Sequence, residues 1–105
     1  MPEGAEAYIE LGWEFHIRQQ YDRAVDHFRK ALELDGNAVD AYYGLGLAYK
    51  AQGRKAEAIA AFEKVLNLVS RLEDRGKAQI LSQLSRAHIE QLRGGEATHA
   101  AAEQT

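Results

Sequence analysis

The sequence predicts an all-α chain of about five helices stacked as antiparallel pairs, and two observations carry that prediction. The first is an internal repeat. Moving residues 37–53 back by 34 places lays Ala41, Tyr42, Leu45 and Gly46 on Ala7, Tyr8, Leu11 and Gly12, and Tyr49 on Phe15. The same shift lays Ala58, Phe62, Lys64, Leu66 and Leu68 on Ala24, Phe28, Lys30, Leu32 and Leu34. The second is the spacing inside each copy, where apolar residues fall at i, i+3, i+4 and i+7, the stripe of a helix with one buried face. A repeat of this length is one supersecondary unit that needs a neighbour to cover its apolar side.

Each element follows from local chemistry. Residues 1–4 read as a frayed lead-in, since Pro2 has no N–H to donate and Gly4 loosens the chain. A first helix starts near Ala5, with Tyr8, Leu11, Gly12 and Phe15 as one stripe. A second stripe, Ile9, Trp13, His16 and Ile17, lies one residue later, so this helix is apolar around much of its circumference and needs cover on two sides. A turn at 18–20 leads to a second helix over 21–34 that buries Ala24, Val25, Phe28, Ala31 and Leu32. Gly12 and Ala24 are small because two helices cross closely there. Asp35, Gly36 and Asn37 end that helix; Gly36 suits a left-handed residue past a helix end, and Asn37 with Asp40 suits a cap for the next helix. The third helix runs to about Gln52 with Gly53 as its stop, and repeats the second stripe as Tyr43, Leu47, Lys50 and Ala51. A fourth helix from Lys55 packs Ala58, Ile59, Phe62, Val65 and Leu66. Either it ends near Arg71 and the chain reverses at 73–76, or one long helix runs through. The faint stripe Leu81, Leu84, Ser85 and His88 favours reversal into a fifth helix over about 77–92, whose polar Gln83, Arg86, Glu90 and Gln91 suit a capping element. From Gly94 onward the sequence has little to bury and reads as a disordered tail.

The residues that repeat also match a family pattern: aromatic, Leu, Gly and aromatic in one helix, then Ala, aromatic and Ala in the next. Repeat 1 fills it with Tyr8, Leu11, Gly12, Phe15, Ala24, Phe28 and Ala31; repeat 2 with Tyr42, Leu45, Gly46, Tyr49, Ala58, Phe62 and Val65. In this the chain resembles the tetratricopeptide repeat family. The departures are local: Gly36 and Ser70 stand where a closing Pro is usual, Gln19 where repeat 2 has the turn residue Gly53, and Val65 where a small Ala is usual. The resemblance implies a right-handed superhelical solenoid that binds other proteins. It divides the chain into repeat 1 over 5–38, repeat 2 over 39–72, a capping helix over 73–93 and the tail over 94–105.

Several function classes are disfavoured. At 105 residues the chain builds one modest core. It has no cysteine, hence no disulfide framework or zinc–thiolate site, which suits a reducing compartment and leads us to expect the cytoplasm. Its first ten residues lack a basic segment followed by an apolar run, so no secretory signal is expected. No apolar stretch approaches the roughly 20 residues of a membrane helix, so no membrane insertion is expected. The net charge of -3, with both signs interspersed, offers no basic patch for nucleic acid. His16, His27, His88 and His99 show no metal-binding spacing, and Ser70, Ser82 and Ser85 sit outside any nucleophile motif. No enzyme activity, cofactor or metal is expected.

The resemblance places the second stripes on a concave face where ligand peptides lie. The groove residues are then Ile9, Trp13, His16, Ile17, Tyr43, Leu47 and Lys50. Apolar residues in a contiguous groove mark interaction sites, and Trp and Tyr are common anchors. The competing reading is that the fifth helix or the tail folds into the groove. Some family members use Lys and Asn at set concave positions to hold the carboxylate end of chaperone tails. Here Ile9, Trp13, Tyr43 and Leu47 occupy most of those places, so the expected ligand is an apolar or amphipathic segment. The expected function is an adaptor or scaffold, and the alternative is a self-assembling unit that uses the same groove, because arrays of this kind generally want about three repeats.

Overall fold

The computed structural model describes the backbone of residues 4–104 and the side chains of residues 4–94. Residues 1–3 of the expected lead-in, and the side chain of His99, lie outside the described residues. The described chain is helical throughout, with α1 (Ala5–Ile17), α2 (Tyr21–Leu34), α3 (Val39–Ala51), α4 (Lys55–Leu68) and α5 (Arg75–Gln104), and a single 3-10 turn at Val69–Arg71. Each helix packs on the next, and α1 also touches α3, so the pairs stack into a right-handed superhelical solenoid.

The two phenylalanines of the repeat are the centre of the packing. Phe28 is fully buried, and a Cβ placed on Gly12 would come within 2.6 Å of its ring. A Cβ on Gly44 would reach 2.5 Å from Cε1 of the same ring, so Phe28 is seated between a glycine of its own repeat and one of the next. Phe62 is also fully buried, and a Cβ on Gly46 would lie 2.6 Å from it. Close helix approach here is therefore bought with the absence of side chains. Ala24, Ala31, Ala58 and Val65 complete the seam at 0% exposure, so the larger Val65 is accommodated where repeat 1 has Ala31.

The helix ends are where sequence reasoning needs correction. The turns after α1 and α3 are the same structure. Gln20 N–H donates to the Phe15 carbonyl and Arg54 N–H to the Tyr49 carbonyl, both at 2.9 Å, closing each helix with a left-handed residue at Gln19 (φ 62°) and Gly53 (φ 77°). After α2, by contrast, Gly36 does not take the left-handed conformation expected of it. Asp35 leaves the helix in extended geometry (φ -145°, ψ 97°), and its carboxylate accepts from the Asn37 N–H at 3.0 Å. Asn37 is thus the recipient of an Asx turn rather than a cap, and Ala38 holds the N-cap position of α3 without a side-chain bond. The connection is tied instead by Tyr42 Oη donating to the Gly36 carbonyl at 3.2 Å.

The chain reverses after α4. Leu72 is extended, Arg75 donates to the carbonyls of Val69 and Leu72 at 3.2 Å, and the Asp74 carboxylate caps α5 by accepting from the Lys77 N–H at 3.0 Å. Cap and turn chemistry thus place the start at Arg75 rather than Lys77. At the other end α5 differs more from expectation, since its backbone helix passes Leu92 and the expected tail boundary at Gly94 and continues to Gln104. Two glycines in a helix cost roughly 1 kcal/mol each, and the Ala, Glu and Gln that follow are good helix formers.

Candidate partner-binding groove

The second stripe of α1 and that of α3 lie side by side because α1 contacts α3 directly. Trp13 meets the Phe28 ring edge to face at 5.1 Å and 77°, and Tyr43 meets Phe62 in the same way at 5.7 Å and 64°. Each repeat therefore presents one groove aromatic propped on its own core phenylalanine. The two props come together, with the Trp13 and Tyr43 rings 6.5 Å apart. Edge-to-face contacts of this kind hold a ring in one orientation and leave its other surface available.

The seven expected groove residues are not equivalent. Ile9, Trp13, Tyr43 and Leu47 are half-buried against the main core cluster. His16 packs between Trp13 (5.9 Å) and Tyr21 (5.2 Å), and burial holds its imidazole below the ordinary pKa. Its Nδ1 is buried with no hydrogen-bond partner among the described residues. Ile17 is 78% exposed, the most open of the large apolar side chains described. Lys50 is half-buried and committed elsewhere: its ammonium donates to His88 Nδ1 at 3.0 Å and to the Gln91 side chain.

That commitment brings α5 into the site. His88 stacks flat on Phe62 at 4.8 Å and 9°, and its Nε2 lies 3.4 Å from Tyr43 Oη. Lys50 carries only donors, so Nδ1 is the acceptor and the Nε2–H donates toward Tyr43. Burial first, and the Lys50 charge second, push the His88 pKa below its ordinary value; burial pushes that of Tyr43 up. Sequence reasoning placed His88 in the stripe of the capping helix and kept the fifth helix folding into the groove as the competing reading, but named no residue for it, because nothing in the local sequence reports a contact 38 residues away. It also missed Gly44, which falls outside the repeating pattern and acts on the neighbouring repeat's phenylalanine. The half of the groove at Tyr43 and Lys50 is therefore contacted by the chain's own α5, whereas at the other half Trp13 meets Phe28, His16 and Tyr43 and Ile17 is largely exposed.

Chemically the arrangement offers aromatic and aliphatic surface with few polar groups. Among the described residues no group of three or more His, Asp or Glu is placed to hold a metal ion. No helix of the described residues is long and apolar enough to cross a membrane.

A model of the TPR repeat matches residues 12–53, and a model of the tetratricopeptide repeat matches residues 39–69; together they take in both phenylalanine seats. The chain belongs to the tetratricopeptide repeat family. Similar proteins include Superkiller protein 3 of Saccharomyces cerevisiae, 33% identical over 75 residues, which takes in 62% of this chain and 5% of that protein. The Cell division cycle protein 27 homolog of Caenorhabditis elegans is 34% identical over 64 residues, covering 61% of this chain and 8% of the relative. Anaphase-promoting complex subunit 3 of Schizosaccharomyces pombe is 31% identical over 62 residues, 59% of this chain and 9% of the relative. The chain thus spans less than a tenth of these relatives. Among solved structures it is similar to the crystal structure of MamA, with a TM-score of 0.62 and 28% identity over 93% of this chain and 61% of that one. Tetratricopeptide repeat proteins are in general protein-interaction modules, and family members of this kind are in general not enzymes.

Proposed function

We propose that this chain is an adaptor or scaffold module that holds an apolar or amphipathic segment of another protein in its concave groove. The observation that supports this reading most is the pairing of Trp13 and Tyr43, two aromatics oriented by buried phenylalanines and set 6.5 Å apart beside the exposed Ile17. Rigid aromatics on a concave surface supply contact area at low entropic cost, and the groove's few charges suit an apolar ligand better than a carboxylate. One relative is by name a subunit of a complex, which agrees with a role in assembly. The second reading is self-assembly through the same surface; it is favoured by Ile17, which a second copy would cover. In either case Ile17 and Trp13 carry the contact.

Light scattering over a concentration series, on the wild-type chain beside Ile17→Glu and Trp13→Glu, separates the two. Ile17→Glu is the safer probe because its side chain makes little of the core. A monomer for all three, together with micromolar binding of amphipathic peptides that Ile17→Glu weakens at least tenfold, is the result expected of an adaptor. A concentration-dependent dimer that Ile17→Glu abolishes would replace it with self-assembly. Peptide binding and mass both unaffected by the two substitutions would remove the groove from consideration.

A further inference from the structure

We propose that His88 is a proton-operated latch: as the neutral ring it ties α5 to Tyr43 and Lys50, and on protonation it lets go, uncovering that half of the groove. Three contacts made by one side chain carry this. The ring lies flat on Phe62 at 4.8 Å, its Nδ1 accepts from the Lys50 ammonium at 3.0 Å, and its Nε2 faces Tyr43 Oη at 3.4 Å. The first contact tolerates either charge state. The second does not. A proton on Nδ1 removes the ring's only in-plane lone pair and sets two cations 3.0 Å apart, turning a charge-assisted hydrogen bond into a donor–donor clash. Gln91, one helical turn from His88 on α5, loses its hold on Lys50 as the ammonium withdraws.

Among the described residues, the charge that acts on the ring is that of Lys50, which opposes the proton. From α3 the facing titratable groups are Lys50 and Tyr43, and from α4 the facing group is the apolar ring of Phe62. Among the described residues, the carboxylates that form ion pairs between these helices and α5 are engaged elsewhere: Glu63 of α4 with Arg93 at 3.6 Å, and Asp40 of α3 with Lys77 at 2.9 Å. Burial and the Lys50 charge both lower the His88 pKa, so the latch is closed above pH 6.5 and opens as the pH falls below it. The earlier part of α5 remains anchored through Ala78 and Leu81, which keeps the opening local.

The consequence for ligand access rests on the groove being the binding site, but the latch itself is tested on the free chain, so the two can fail separately. Amide protection factors and ring resonances are followed by NMR from pH 7.5 to 5 on the wild type, His88→Gln and Lys50→Met. Expected is a roughly tenfold fall in protection of the amides around residues 85–92, the scale of one charge-assisted hydrogen bond, with a midpoint equal to that of the His88 ring. His88→Gln should show no such step, and Lys50→Met should move the ring's midpoint up and abolish the coupled loss. Protection that stays constant through the His88 titration, or a step of equal size in both variants, overturns the latch. If the step appears but amphipathic peptide binds no better below it, the latch stands and the groove assignment falls.

Discussion

The same leucine, written twice 34 residues apart, meets opposite fates: Leu34 at the end of α2 is 52% exposed, whereas Leu68 at the end of α4 is 8% exposed. The helices before them differ as strongly. In α1 only Gly12 is buried, but in α3 Val39, Ala41, Gly44, Leu45, Gly46, Ala48 and Tyr49 all are. Local sequence accounts for only part of this: Val39, Gly44 and Ala48 stand where α1 has Ala5, Glu10 and Glu14, but Ala41, Leu45 and Gly46 repeat Ala7, Leu11 and Gly12 in type and Tyr49 answers Phe15. The rest comes from position in the stack. α3 lies between α2 and α4, and α4 is covered in turn by α5, while α1 has neighbours on one side alone. A repeat pattern specifies what a helix can bury, and the neighbours decide what it does bury.

The largest expected effect comes from filling either side of the Phe28 seat. A leucine at Gly12 or at Gly44 would drive its Cβ into the buried Phe28 ring, and overpacking of this kind costs about 1–3 kcal/mol. If stack position governs, the two should diverge. α3 is held from both sides and cannot retreat, so Gly44→Leu should lower the global unfolding free energy by about 3 kcal/mol in urea melts. α1 can swing away, so Gly12→Leu should cost less globally, and hydrogen exchange should find the loss concentrated in the amides of α1. Equal global losses would mean that the solenoid folds as one block and that the open edge carries no independence.

How much of this was legible in the sequence follows from the same distinction. The helices, their pairing and the two buried phenylalanines could be read because each depends on spacing within some 34 residues, and the repeat states it twice. The turn after α1 could be read by analogy: Gln19 stands where Gly53 does, and the structure gives it the same left-handed backbone. The link between repeats was misread because Asp35, not Gly36 or Asn37, organises it, and an aspartate can serve as cap, turn former or surface charge with equal ease. Asp26 and Lys30 have the spacing of a helix pair, yet Lys30 reaches Glu33 at 3.2 Å, since exposed lysines choose among partners of nearly equal energy. His88, Gln91 and Gly44 act across elements, and one sequence does not report such contacts. The groove residues themselves stay a proposal.

The turns offer a finer test, because they are alike in geometry and unlike in residue. A non-glycine residue at φ 62° is strained by roughly 1 kcal/mol, a strain that Gly53 at φ 77° does not carry. Gln19→Gly should therefore raise stability by about 0.5–1 kcal/mol, less the added entropy of a glycine in the unfolded chain, and Gly53→Gln should lower it by a similar amount. No side chain crowds Gly53, since a Cβ there would meet nothing within 4 Å, so no clash adds to the strain and entropy that the two substitutions compare. Thermal unfolding of the two variants measures the two together. A destabilising Gln19→Gly would show that Gln19 is kept for a contact rather than tolerated in a turn.

The smallest effect separates the two repeats by their histidines. His16 beside repeat 1 is held below its ordinary pKa of 6.5 by burial alone, whereas His88 against repeat 2 is lowered by burial and then by the Lys50 charge. With the folded pKa depressed, the unfolded chain binds more protons than the folded one below 6.5. Stability is then full above that pH and declines as the pH falls through the folded values. Both rings remain partly solvated, so the decline should be shallow. Salt tells the causes apart: added salt screens charges and does not restore lost hydration, so in 0.5 M NaCl the NMR midpoint of His88 should move up toward 6.5 while that of His16 stays in place. Equal movement of both would mean that an unassigned charge acts on His16, and that the open repeat is less apolar around its histidine than the packing of Trp13 and Tyr21 implies.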